Sequence, residues 1–124
     1  MRLVCNEAPK CANCNSHFQE LRPNLKEAII TNHFKKDIKD KKEISNIVND
    51  VLDCKHANFS ELHKFEEHVN GISVFRAKKE RTHYVYAVEK SKIIFLRALK
   101  NYREYAKFLE NKKQILHTIR LEYP

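Results

Sequence analysis

Arg76, Lys78, Arg81, His83, Arg97, Lys100, Tyr102, Arg103 and Tyr105 fall within one thirty-residue stretch. Lys79 and Lys107 add charge to it. These residue types can handle nucleic acid: cations for phosphates, flat rings for bases. Arginine suits a phosphate clamp because its planar fork is always charged and binds two oxygens at once. His83 titrates near neutrality and can act as base or acid. Tyr102 and Tyr105 can stack on a base or donate a proton. The charge is segregated accordingly. Residues 71–124 carry 13 Lys/Arg against 5 Asp/Glu, a net of +8, whereas residues 1–70 carry 11 of each. All five tyrosines lie in the basic half. A basic, aromatic half next to a neutral one fits contact with RNA, DNA or the ribosome.

Such side chains need a scaffold. Three runs rich in β-branched and aromatic residues, Ile72–Lys78, Thr82–Val88 and Lys92–Leu99, read as strands. The gaps between them have hairpin length, so the stretch reads as an antiparallel meander. The 3–4 spacing of Tyr105, Phe108/Leu109, Lys112, Ile115/Leu116 and Ile119 predicts a basic helix over 102–120. Upstream, Leu25–Thr31 reads as an edge strand or a helical turn. Asn32 is a plausible N-cap. Ile44, Ile47, Val48, Val51 and Leu52 form an amphipathic stripe, so 33–53 reads as a helical hairpin or one bent helix lying on the sheet. Residues 55–70 read as a connection that docks Phe59, Leu62 and Phe65 into the core. The expected fold is α+β: N-terminal helices packed on a small antiparallel sheet, a three-stranded meander plus a possible edge strand, with a C-terminal helix.

The 124 residues fit one domain with a modest core. No apolar run approaches the ~20 residues of a membrane span, and the N-terminus lacks a signal-peptide h-region. A cytoplasmic protein is expected, and its four cysteines are then thiols or metal ligands rather than disulfides. Cys5, Cys11, Cys14 and His17 place four nitrogen and sulfur ligands within 13 residues, enough for a structural tetrahedral zinc. Cys54 and His56 are the further candidates. The alternative is that these are ordinary structural cysteines. Nothing supplies the βαβ context of a redox C-x-x-C. The single glycine, Gly71, means that the other hairpins turn on non-glycine residues.

The element order resembles the RelE/ParE toxin superfamily, and within it the RelE/HigB-type mRNA interferases. Ile29-Ile-Thr31 and Phe34-Lys-Lys-Asp-Ile-Lys39 are similar to the family's opening strand and its F-x-K-D-L-K helix start. Phe75-Arg76 followed by Tyr84-Val-Tyr86 looks like its x-R … Y-R-V-x-Y hairpin. Ile93–Leu99 with Asn101-Tyr-Arg-Glu-Tyr105 is similar to the HigB-type ending, a hydrophobic strand followed by T-H-x-E-Y. His83 stands near the position of a common family arginine, and Tyr102 at that of the histidine. The resemblance covers roughly residues 27–109. It divides the chain into a cysteine-containing extension, 1–26, and a RelE-like domain, 27–124.

The resemblance implies a type II toxin, a ribosome-dependent endoribonuclease that inhibits translation, with no cofactor for the reaction. The ribose 2′-hydroxyl attacks the adjacent phosphate and leaves a cyclic phosphate end. That reaction needs a base, cations for the growing charge and a donor for the leaving oxygen. The residues expected to serve it are Arg76, His83, Arg97, Arg103 and Tyr105, with Lys78, Lys79, Arg81, Lys100, Tyr102 and Lys107 contacting RNA. Arg97 sits inside an apolar strand and must find water, an anion or a partner. Local readings compete: His83 as a surface strand residue, Tyr105 as core, Tyr84 and Tyr86 as core facing the helices. The implied partners are a cognate antitoxin and mRNA on the ribosome. The alternatives are a ParE-like gyrase inhibitor and a non-enzymatic, zinc-stabilised nucleic-acid-binding module.

Overall fold

A computed structural model of the chain describes residues 16–122. Among them are helix α1 (Ser16–Leu21), strand β1 (Glu27–Ile30), helices α2 (Asn32–Asp37) and α3 (Lys41–Leu52), strands β2 (Glu61–Val69), β3 (Ile72–Lys79), β4 (Thr82–Glu89) and β5 (Lys92–Leu99), and helices α4 (Tyr102–Glu110) and α5 (Lys112–Glu122). The sheet order is β1-β5-β4-β3-β2. β1 runs parallel to β5, and every other pair is antiparallel. The expected α+β class holds, but the sheet is mixed and has five strands. No helix among the described residues is long and apolar enough to cross a membrane.

The segment read as a connection, 55–70, contains β2. Its register against β3 shifts between Glu61 and Lys64 and again between Phe65 and Glu67. Each bulge breaks the two-residue alternation by which a strand is recognised. The strand is also an edge, where charged residues are tolerated and expected. Leu62 and Phe59 are buried as foreseen, whereas Phe65 remains 38% exposed.

Both faces of the sheet are covered. On one, Phe75, Ala77, Tyr84, Tyr86, Val88, Ile93 and Phe95 pack against Phe18 of α1, Phe34 of α2 and the Ile44–Leu52 stripe of α3. Tyr84 and Tyr86 face these helices. On the other, Ile72, Val74, Val85, Ala87, Ile94 and Leu96 pack against Tyr105 and Phe108 of α4 and Ile115 and Ile119 of α5. Strand alternation sends successive residues to opposite cores.

The helical region 33–53 is two helices. Thr31, not Asn32, caps α2: its hydroxyl accepts from Phe34 N–H at 3.2 Å while donating toward the Phe95 and Leu96 carbonyls at 2.9 and 3.1 Å. Asp40 caps α3 through Lys42 N–H. The single helix expected over 102–120 is also two, because Asn111 interrupts it. Its side chain accepts from Gln114 N–H at 3.0 Å and starts α5 anew. The three hairpin turns use Asn70-Gly71, Glu80 and Lys90, all at positive φ. Only Gly71 adopts that conformation without a Cβ penalty.

Candidate nucleic-acid interface

The site forms where β3, β4 and the start of α4 meet. Arg76 pairs with Val85 in the β3–β4 ladder, and His83 with Lys78 on one side and Leu99 on the other. Both lie on the α4 side of the sheet. Arg76 is buried at 5% exposure and His83 at 2%. Asn101 caps α4 by accepting from Glu104 N–H at 2.9 Å. This cap sets the first turn of α4 over the sheet, with Tyr105 inward and Tyr102 outward.

Tyr105 stacks on His83 at 4.5 Å with the rings 11° apart. The Arg76 guanidinium lies 4.8 Å from the centre of the Tyr105 ring, within cation–π range. Tyr102 closes the cluster, 6.2 Å from His83 and 6.0 Å from Tyr105. It is 69% exposed.

Two glutamates that sequence reasoning missed complete the cluster. Glu61 Oε1 accepts from Arg76 Nη2 at 2.6 Å. Glu66 lies 3.7 Å from Arg76 Nε, beyond hydrogen-bond length. Glu66 is the extra residue of the second β2 bulge, which explains why alternation did not point to it. The Tyr105 hydroxyl, Arg76 Nε and Glu66 Oε1 are buried together, and none closes a hydrogen bond among the described residues. Burial first, then the Glu66 carboxylate, push the Tyr105 phenol well above the ordinary tyrosine value, against the pull of Arg76. Its hydroxyl is therefore a donor at neutral pH and never a phenolate.

His83 titrates below the ordinary histidine value. Burial is the main cause, followed by the charges of Arg76 and Lys78, with Glu61 opposing. The ring is therefore neutral at pH 7. Arg76 Nη1 approaches His83 Nδ1 at 3.5 Å. A guanidinium only donates, so Nδ1 holds the lone pair and Nε2 the proton. Burial works against the charge of Glu61, but Arg76 and then Lys64 outweigh it and hold its carboxyl below the usual value.

The expected arginines differ in their surroundings. Arg76 is held by the β2 glutamates. Arg97 is held by Asp37, which accepts from its Nε at 2.7 Å and its Nη2 at 3.1 Å. The same carboxylate accepts from Ala98 N–H at 2.9 Å. Leu96 is the bulged residue of β5, so Leu96 and Arg97 both turn to the α4–α5 side. There the Arg97 guanidinium lies 5.8 Å from the Phe108 ring. Asp37 is thus the partner that Arg97 required. Arg103 is exposed, as are Arg81, Lys100 and Lys107, and Lys78 and Lys79 are half-buried. The structure therefore brings Arg76, His83, Tyr102 and Tyr105 together and places Arg97 apart on β5, where Lys107 lines the same pocket.

The metal set is divided. Cys5, Cys11 and Cys14 lie outside the described residues. His17 Nε2 hydrogen-bonds the Ser73 hydroxyl at 2.9 Å, with its ring against Phe75. Among the described residues no three His, Cys, Asp or Glu side chains form a group able to hold a metal ion. No family profile, no curated protein and no solved structure matches this chain.

Proposed function

We propose that the protein is an RNA-directed toxin of the RelE/HigB type, acting on ribosome-bound mRNA through the surface around Tyr102. The observation that carries this reading is Tyr102 itself, 69% exposed above a buried histidine and flanked in sequence by exposed Lys100 and Arg103. An exposed aromatic ring with exposed cations beside it in the chain suits a single-stranded base and its phosphates. The chain order also supports it: an opening strand, two helices, a hairpin carrying Arg76 and His83, a hydrophobic strand, then the Asn101–Tyr105 helix start. This is the order that the resemblance implies.

In this reading Arg81, Lys100, Arg103 and Lys107 hold phosphates and Tyr102 stacks on a base. Burial first, then Arg76, keeps His83 neutral, and Arg76 fixes its tautomer, with Nε2–H as the donor. In cleavage the 2′-hydroxyl bonds to the adjacent phosphorus and the P–O5′ bond breaks. The products are a 2′,3′-cyclic phosphate and a 5′-hydroxyl end, the 2′-hydroxyl proton passing to the leaving oxygen through base and donor groups.

One observation favours a second reading, RNA binding without cutting. Arg76 and Arg97 are both engaged by carboxylates, and the lone pair of His83 faces a guanidinium. That arrangement provides no free general base.

Induction of the chain in a bacterial host, with growth and mRNA 5′ ends recorded, tests both readings. The toxin reading expects arrest with new 5′-hydroxyl ends, relieved in a Tyr102→Ala/Arg103→Ala variant. Arrest with unchanged 5′ ends overturns cutting, and a simultaneous loss of DNA supercoiling would point to gyrase. RNA binding without arrest favours the second reading.

A further inference from the structure

The two glutamates beside Arg76 are not alike. Glu66 keeps a buried oxygen 3.7 Å from Arg76 Nε. Glu61 makes the close contact, Oε1 to Arg76 Nη2 at 2.6 Å, yet 37% of its side chain is exposed. Its other oxygen, Oε2, lies 3.6 Å from the Lys64 ammonium. One carboxylate thus spreads its two oxygens over two cations. A phosphodiester offers the same pattern: one negative charge shared by two free oxygens, which suits a guanidinium as well as a carboxylate does.

The first β2 bulge creates this meeting. Residues three apart on a regular strand point to opposite faces. The register shift between Glu61 and Lys64 removes that offset, so Glu61 opposes Lys78 while Lys64 opposes Arg76. Arg76 and Lys78 are two apart on β3 and share a face. Three cations therefore surround one carboxylate at the edge of the sheet. His63, inside the bulge at a φ of 55°, is anchored by Tyr86 through both its backbone N–H and its ring. The strand is fixed there, so any displacement of the carboxylate falls to the Glu61 side chain.

Arg76 is buried and its closest partner is half-exposed, so solvent reaches the pair from the Glu61 side. Rotation of Glu61 outward uncovers Nη2, and Glu66 stays behind as the interior counter-charge. His83 connects this point to the aromatic ring. Its Nδ1 is 3.5 Å from Arg76 Nη1, and its ring centre is 6.2 Å from that of Tyr102.

We infer that Glu61 is an internal stand-in for an RNA phosphate: its carboxylate occupies the Arg76–Lys64 clamp in the free protein, and a phosphodiester of the bound strand displaces it. The inference rests on the RNA-directed reading and adds to it a phosphate site that the protein holds closed until RNA arrives. Self-occupation lowers the apparent affinity by the fraction of molecules whose clamp is open.

The test titrates the full chain with oligouridylate at several salt concentrations. Glu61→Gln keeps the side-chain shape and leaves Glu66 on Arg76. It should bind about five- to tenfold tighter than wild type, the gain expected when a mostly closed site is opened. Its salt dependence should steepen by about 0.7, the increment for one added single-strand phosphate contact. Glu80→Gln removes the same charge from the β3–β4 turn and should leave that slope unchanged. In the wild-type protein, the carbon-13 resonance of the Glu61 carboxyl should shift when oligouridylate binds, a readout that needs no variant. Equal RNA affinity of wild type and folded Glu61→Gln, an equal gain and slope in Glu80→Gln, or an unmoved Glu61 resonance in the RNA-bound protein would overturn the inference and leave the RNA-directed reading standing. Inorganic phosphate separates the other case. If it shifts the arginine side-chain resonances of Glu61→Gln while oligouridylate binds neither protein, the clamp takes free phosphate, and RNA is overturned as its ligand together with the RNA-directed reading.

Discussion

The two faces of the sheet each bury a histidine beside a tyrosine, and the two pairs are built differently. On the α1–α3 face, His63 is fully buried, stacked on Phe18, and its Nδ1 and backbone N–H both engage the Tyr86 hydroxyl. Burial first, then His56 and Arg22, hold its pKa well below the ordinary value. On the α4–α5 face, His83 is stacked on Tyr105, but the Tyr105 hydroxyl closes no hydrogen bond among the described residues and Tyr102 stands exposed beside the pair. The first pair is a satisfied network inside a core. The second is only partly satisfied, and the exposed Tyr102 ring and the half-buried Lys78 border it. Natural cores rarely leave buried polar groups unpaired, so their clustering at one margin marks the place where a ligand or water completes the set.

The contrast can be tested by mutation. The largest effect is expected at Arg76. Arg76→Ala leaves Glu66 and the partly exposed Glu61 without their counter-charge, and urea unfolding should show a loss of about 3 kcal/mol, the lower end for a broken buried pair. Tyr86→Phe removes the one hydroxyl serving two partners on His63, and the same assay should show a loss of about 1–3 kcal/mol.

Acid should act on the same residue. A histidine whose folded pKa is depressed binds fewer protons folded than unfolded. Stability is then fully present above the unfolded value of about 6.5 and declines as pH falls from there toward the folded pKa. His63→Gln should flatten that decline in pH-dependent unfolding more than His83→Gln does, because His63 is shifted further.

Tyr102→Ala should weaken single-stranded RNA binding by about 1–3 kcal/mol in anisotropy titrations, yet leave stability within about 0.5 kcal/mol. The smallest effect is reserved for Tyr105→Phe, which removes a hydroxyl that closes no hydrogen bond among the described residues. Its unfolding free energy should change by less than about 0.5 kcal/mol. A loss as large as that of Tyr86→Phe would erase the distinction between the two pairs.

Local pattern made part of this readable. β3, β4 and β5 follow from their β-branched and aromatic runs, and α3 from its apolar stripe. β2 was hidden because two bulges and the charges of Glu61, Lys64, Glu66 and Glu67 obscure its alternation. The break at Asn111 was hidden because the apolar spacing of α4 continues into α5, and a capping side chain, not a proline, makes the interruption. Arg97 was recognisable as a residue in need of a partner. That Asp37 would be that partner depends on α2 folding back onto the end of β5 beyond its pairing with β1, a contact between residues sixty positions apart. His83 read equally well as a surface residue, because only the tertiary stacking of Tyr105 buries it. Exposed cations such as Lys100 and Arg103 needed no tertiary information.

Ultraviolet crosslinking of the intact protein to cellular RNA, with crosslinked peptides located by mass spectrometry, tests the RNA-facing surface most directly. The account predicts crosslinks on the peptide carrying Tyr102, extending to the Arg81–His83 turn and absent from α2 and α3. Crosslinks confined to the α1–α3 face, or RNA recovery no greater than that of an uncrosslinked control, would contradict it.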